Sequence, residues 1–260
     1  MANDLVQVQQ LTEGALLVTL NRPEKLNALT VDMIQELTAV AQSAKNNEEI
    51  RTVIVTGSGR AFSAGGDITG LFGKVDNDLA SYLMSYAKLD DAIADSGTIW
   101  IAAINSLAYG GGLEIAAMCD IRVCDSRATF CIADIEVGAL PTGGLTWKLP
   151  RLIGESMARW MMLTNSVVGS QRASEIGLIH EVVNDGECVT RAREIAIQVA
   201  GYFPEAVSMT REAIRMSWSS LLVDSREFEV ASSVHLLKQD AVSKKLEARF
   251  SAKYKVKRSE

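Results

Sequence analysis

Two apolar runs, each broken by a cluster of glycines and followed by an acid, constrain this chain more than any other feature. Ile101–Asp120 reads IAAINSLAYGGGLEIAAMCD, with Glu114 directly behind three glycines and a leucine. Val53–Asp67 repeats the plan as VIVTGSGRAFSAGGD, ending on Asp67. Short apolar runs bounded by turn residues read as buried strands. Small residues after them let another backbone or a ligand approach closely. Two such turns therefore point to backbone N–H groups aimed at an oxygen, with a carboxylate beside them. Close strand–helix packing is the plainer explanation of either cluster taken alone.

The surrounding pattern alternates strand and helix. Residues 5–20 read as an antiparallel pair turning at Gly14, and Asn21-Arg22-Pro23 ends it because proline donates nothing to a ladder. Thr30 is placed to cap a helix whose apolar face is Ile34, Leu37, Ala41 and Ala44. Strands are expected at 53–55, 99–104, 121–124, 129–132 and 178–183. Helices are expected over 71–96, over 112–118 and around Met157–Leu163. Ser170 is expected to cap a short helix that stops at Gly177. From about Cys188 only helical signals remain, over 191–200, 204–217 and 225–250. The reading is an α/β core over residues 1–187 and a helical C-terminal part over residues 188–260.

Composition narrows the function. The chain has 260 residues, 48% of them hydrophobic, which suffices for a large buried core. No apolar run approaches the roughly 18 residues needed to span a bilayer. No signal or transit pattern opens the sequence, so a cytoplasmic location and no membrane partner are expected. Net charge is −6, which argues against a nucleic-acid surface. The one basic cluster, Lys253, Lys255, Lys257 and Arg258, lies in the last eight residues. It reads as a solvated tail or as a contact to a small ligand's phosphates. Cys119, Cys124, Cys131 and Cys188 form no CxxC pair, and His180 and His235 stand far apart. No metal site is expected, and the cysteines read as reduced core residues.

Four motifs in order carry a resemblance that covers nearly the whole chain. NRPEKLNAL at 21–29, GRAFSAGGDI at 59–68, AYGGGLEIAAMCDIRV at 108–123 and GALPTGG at 138–144 are similar to signatures of the crotonase superfamily, the enoyl-CoA hydratase/isomerase family. The resemblance implies an α/β fold: a crotonase-like spiral of ββα turns with a C-terminal helical trimerisation region. It implies acyl-CoA thioester substrates, with coenzyme A part of the substrate and no separate cofactor, and a homotrimer or dimer of trimers.

Carried onto this sequence, the resemblance puts the oxyanion donors at the Ala64 and Gly111 amides and the first catalytic carboxylate at Glu114. The second falls on Asp134, where the hydratases typically carry glutamate. That is a departure, because aspartate reaches one methylene less far. Glu136 is its rival, since the two would share a face if the segment were extended; motif position favours Asp134. Contacts to CoA fall on Lys25, Leu26, Ala28, Ala64, Gly65, Gly66, Asp67, Ile68 and Gly111. Phe250 and Lys253 match a C-terminal pattern that reaches the adenine and phosphates, although Lys244-Lys245 replaces the acidic-glycine step before it. For Asp67, turn stabilisation explains the residue equally well. The expected activity is hydration of an enoyl-CoA. Double-bond isomerisation, a specialised hydrolase, C–C lyase or dehalogenase, and a non-catalytic CoA- or RNA-binding scaffold stand as alternatives.

Overall fold

The computed structural model describes residues 4–12, 14–67, 76–218, 222–242 and 244. Ile68, Phe250 and Lys253, expected to touch CoA, lie outside the described residues, as does the end of the helix expected over 225–250.

Two sheets share the strands between them. The larger holds β1 (Val6–Gln10), β2 (Ala15–Leu20), β3 (Thr52–Gly57), β5 (Ile99–Ile104), β7 (Ile121–Asp125) and β10 (Glu181–Val183), in that spatial order. Only β1 with β2 is antiparallel; every other pair in it is parallel. The smaller sheet holds β4 (Ala61–Ser63), β6 (Leu107–Tyr109), β8 (Thr129–Cys131) and β9 (Val168–Gly169). Consecutive strands thus alternate between sheets, β3 then β4, β5 then β6, β7 then β8. Each pair is followed by helix: α2 (Asp76–Asp95), α3 (Gly111–Met118) and α4 (Leu145–Ile153). The first turn has the same plan, with β2, then the isolated parallel bridge Leu29–Gly66, then α1 (Val31–Lys45). This repetition is the ββα organisation that the resemblance implied.

The apolar patterning explains the layers. All six residues of β3 and of β5 are buried, as expected of parallel strands covered on both faces. Thr30 caps α1 by accepting the Met33 N–H at 3.2 Å, a bond worth about 1 kcal/mol. Met33, Ile34, Leu37, Ala41 and Ala44 turn inward from α1. Lys148 of α4 forms a largely buried ion pair with Asp90 of α2, fixing those helices to each other. All four cysteines are buried and free.

Several elements depart from the sequence reading. Helix α4 contains Pro150 and was not expected. The helix expected around Met157–Leu163 is α5 (Glu155–Thr164). Ser170 does not cap the helix after it, α6 (Ser170–Glu175): Gly169 holds the cap position, and the Ser170 hydroxyl donates to the Ser126 carbonyl at 2.6 Å. β10 begins at Glu181 rather than 178, because the Leu178 and Ile179 amides turn back to the Ala173 carbonyl. Helix α7 (Cys188–Ala200) starts before Arg191, because buried Asp125 at the end of β7 accepts the Gly186 and Cys188 amides at 2.8 and 3.0 Å.

The chain divides into two compact units, Met1–Gln198 and Val199–Glu260. The division falls inside α7 rather than at 187/188, since Asp125 and the buried Cys188, Ala192, Ile195 and Ala196 tie α7 to the first unit. The second unit contains α8 (Pro204–Met216) and α9 (Leu222–Leu237). They pack together, with His235 Nε2 2.6 Å from Glu205 Oε1. No helix of the described residues is long and apolar enough to cross a membrane.

Candidate active site

The two glycine turns meet. A side chain at Gly65 would come within 3.0 Å of the Tyr109 carbonyl and 3.5 Å of the Gly111 amide nitrogen. Gly65 has φ +105 and Gly110 φ +45, conformations that a side chain would strain. Contact between the turns therefore requires glycine on both sides.

The amides on the first turn have separate fates. Ala64 donates its N–H to the Leu26 carbonyl at 2.9 Å. Gly65 donates to Ser63 Oγ at 3.2 Å, and Asp67 to the Leu29 carbonyl at 2.8 Å. Gly66, half-buried, has an N–H without a partner among the described residues. On the second turn Gly110 donates to the Cys131 carbonyl at 2.9 Å, whereas Gly111, first residue of α3, has no acceptor behind it in the helix. The donor expected at Ala64 is therefore already engaged, and the open amide of that turn is two residues further on. Gly111 stands at the positive end of the α3 dipole, which favours an anion there.

The first turn is held by a residue that motif reading passed over. Asn27 is fully buried, with φ 56 following Leu26 at φ 51. Its amide nitrogen donates to the Ser58 and Ala61 carbonyls at 2.9 and 2.8 Å, and its Oδ1 accepts the Arg22 amide at 2.9 Å. Asparagine tolerates the left-handed region, and its four-bond capacity suits a buried corner. Arg22 also pairs with Asp67 at 3.0 Å and donates to the Ala28 carbonyl at 2.6 Å. Asp67 thus has a structural partner within the turn. Lys25 is exposed, while Leu26 and Ala28 are half-buried beside Asn27.

Glu114 lies one turn into α3 and is 1% exposed. Its Oε1 accepts the Thr142 N–H at 2.9 Å and the Thr142 hydroxyl at 3.0 Å. Gly143 lies flat against its side chain, since an added Cβ would fall 2.7 Å from Glu114 Cβ. Burial, and then repulsion from Asp134, pushes the Glu114 carboxyl up to about 7 against the weaker pull of the Thr142 bonds. A helix cap or ion pair, the plain alternative for Glu114, is absent among the described residues. Thr142 belongs to the GALPTGG motif, so its position was visible in the sequence though its role was not.

Asp134 opens a 3-10 turn, Asp134–Val137, behind Ala133 at φ 65. Burial raises its carboxyl to about 6. Its Oδ2 is buried with no hydrogen-bond partner among the described residues. A buried acceptor left bare asks for a proton or a ligand atom. The segment is helical rather than extended, so Asp134 and Glu136 do not share a face. Glu136 is exposed and accepts from Asn165 Nδ2 at 2.8 Å. Asn165 Oδ1 in turn accepts the Ala133 N–H at 2.8 Å and lies 3.0 Å from Cys131 Sγ. One asparagine thereby fixes the loop that presents Asp134.

His180 belongs elsewhere: its Nδ1 accepts the Arg122 amide at 3.1 Å, and burial lowers its basicity. Among the described residues, no three of His, Cys, Asp or Glu gather as metal ligands.

A pair of amides without acceptors beside one buried and one half-buried carboxylate is an arrangement for developing negative charge at a carbonyl oxygen and moving protons next to it. The comparisons agree with that class. The model of the enoyl-CoA hydratase/isomerase family matches residues 10–257, and this chain belongs to that family. It is 35% identical over 218 residues to a probable mitochondrial enoyl-CoA hydratase of Dictyostelium discoideum, covering 82% of this chain and 76% of the relative. It is 36% identical over 208 residues to a short-chain-enoyl-CoA hydratase of Clostridium acetobutylicum, covering 76% of each. Among solved structures, an enoyl-CoA hydratase from Bacillus anthracis matches with TM-score 0.90 at 27% identity, over 96% of this chain and 97% of that one. DspI of Pseudomonas aeruginosa matches with TM-score 0.91 at 29% identity, over 96% and 95%.

Proposed function

We propose that the chain is an enoyl-CoA hydratase, adding water across the 2,3-double bond of an acyl-CoA thioester. The carrying observation is the Gly66 and Gly111 amides without acceptors on touching turns, with buried Glu114 and half-buried Asp134 beside them. In the proposed reaction, Gly66 and Gly111 replace Ala64 and Gly111 as the donors to the thioester oxygen. Asp134, whose buried Oδ2 has no hydrogen-bond partner among the described residues, receives a proton from water as the water oxygen bonds to the β-carbon. The electron pair of the double bond moves through the α-carbon to the thioester oxygen. The resulting enolate is held by the two amides, a kind of contact whose loss typically slows a reaction about 100 to 1,000-fold. Glu114, whose burial favours its protonated form, carries the proton that closes the α-carbon. A proton then passes from Asp134 to Glu114 through solvent, and the pair is reset.

Lys25, Leu26, Ala28, Gly65 and Asp67, around the first turn, are the proposed CoA-side contacts. No cofactor apart from the CoA of the substrate enters the scheme. The proposal extends to a cytoplasmic homotrimer or dimer of trimers, checked by cell fractionation and by analytical ultracentrifugation.

Purified protein incubated with crotonyl-CoA and longer 2-enoyl-CoAs, with product identification, tests the reading. The expected product is the 3-hydroxyacyl-CoA. Binding without hydration would overturn it. Conversion of 3-enoyl-CoA to 2-enoyl-CoA in place of hydration would assign the same carboxylates to isomerisation.

A further inference from the structure

Two tyrosines one helical turn apart on α2 stand behind both oxyanion turns. Tyr82 and Tyr86 are 3% and 2% exposed, their rings meet edge to face at 5.5 Å, and their hydroxyls lie 3.1 Å apart. Tyr82 donates to the Leu29 carbonyl at 3.1 Å. That carbonyl also accepts the Asp67 N–H at 2.8 Å, while the Leu29 N–H donates to the Gly65 carbonyl at 2.8 Å. Leu29 therefore grips the chain on both sides of Gly66. On the other wall the Tyr86 hydroxyl fills the space of a side chain at Gly111, where an added Cβ would lie 2.4 Å from it.

We infer that Tyr82 and Tyr86 are positioning residues: a hydroxyl brace that ties the Gly66 turn to the Gly111 turn and fixes the spacing of the two amides. The inference rests on the proposed oxyanion role of those amides.

Proton counting supports a positional role over an acid role. Tyr82 has one proton and gives it to Leu29, so the Tyr86 proton goes to Tyr82. None is left for a substrate. Burial holds both phenols neutral, Tyr82 up at about 12 and Tyr86 well above its usual value, with Glu114 adding to the rise. The pair is thus a chain of dipoles ending on a peptide carbonyl, able to hold geometry without exchanging protons. The ion pair of Asp90 with Lys148, one further turn along the same helix, secures α2 against rotation. Phenylalanine would fill either site but would leave the Leu29 carbonyl without its second donor and the Gly111 wall without its oxygen.

The test compares wild type with Tyr82→Phe and Tyr86→Phe in hydratase kinetics, and in the carbonyl stretching frequency of a bound 2-enoyl-CoA. Expected is a fall in kcat of about tenfold or more from displaced donors. KM should stay within about twofold, because binding away from the carbonyl is untouched. The bound carbonyl should move back toward its frequency in solution, and the double variant should be no worse than the more damaged single one. A kcat close to wild type, or a lower kcat with an unchanged carbonyl shift, would overturn the brace. Should one variant fail to fold, the other decides; failure of both would assign the pair to stability alone and overturn the inference. Wild type that binds enoyl-CoA without hydrating it would refute the proposed function, yet the carbonyl frequencies would still judge the brace.

Discussion

Replacing Glu114 with glutamine should remove most turnover and, at neutral pH, make the protein more stable. Glutamine retains the Oε1 acceptor for both Thr142 bonds and nearly the same volume, so the packing against Gly143 survives. The charge is what disappears. A carboxyl raised from 4.5 to about 7 resists ionisation in the folded chain. At about 1.4 kcal/mol per tenfold change in equilibrium, ionised Glu114 destabilises the fold by about 3 kcal/mol. The sign follows from proton binding. Below 4.5 the group is protonated in folded and unfolded chains alike, so it contributes nothing. Between 4.5 and about 7 the unfolded chain has released the proton that the folded chain keeps, so stability falls as pH rises. Above about 7 the full penalty is present. The stability gained by Glu114→Gln should therefore grow by about 3 kcal/mol between about pH 4.5 and about pH 8. Urea unfolding of wild type and variant, at matched protein concentration across that range, reads the difference directly. Parallel pH curves for the two proteins would refute the assignment of a raised Glu114. Loss of turnover, of order 100 to 10,000-fold, is the accompanying expectation; full turnover would remove Glu114 from the chemistry.

Other expectations follow from the same contacts. The kcat/KM profile should be bell-shaped, falling below about 6 as Asp134 takes up a proton and above about 7 as Glu114 loses one; Asp134→Asn should abolish the acid limb along with most of the rate. Thr142→Val keeps the backbone donor and removes the hydroxyl that lowers the Glu114 value, so the alkaline limb should move to higher pH. Asn165→Ala frees Ala133 and the 3-10 turn behind it; kcat should fall at nearly constant KM, with only a modest loss in thermal melting. Asn27→Ala strands the Ser58 and Ala61 carbonyls at a left-handed position, and should lower stability by about 2 to 4 kcal/mol in denaturant titration.

The alternation of apolar strands and amphipathic helices was legible because each depends on neighbours in sequence. Thr30 caps α1 three residues away, and the buried faces of β3 and β5 are continuous apolar runs. The chemistry-bearing turns were legible for a different reason: a glycine cluster marks a place where backbones come close, though not which backbone arrives there. Asp134 was favoured over Glu136 from its position in the chain, and the two side chains do go to different surroundings. The start of α7 was not legible, since its cap is Asp125, more than sixty residues earlier. Nor was α4, whose Pro150 reads locally as a helix breaker.

The sequence by itself determined that two glycine turns would stand at strand ends with Glu114 behind the second. It determined, too, which residue types could line the reaction. Only the tertiary structure decided which amide of the first turn remains open. Ala64 and Gly66 are two residues apart and equally small or smaller than any rival, yet the Leu26 carbonyl takes one N–H and leaves the other. It also decided that Tyr82, Tyr86, Thr142 and Asn165 would be the groups holding amides and acids in place. A hydrogen-bond partner is a neighbour in space, and periodicity along the chain carries no record of it.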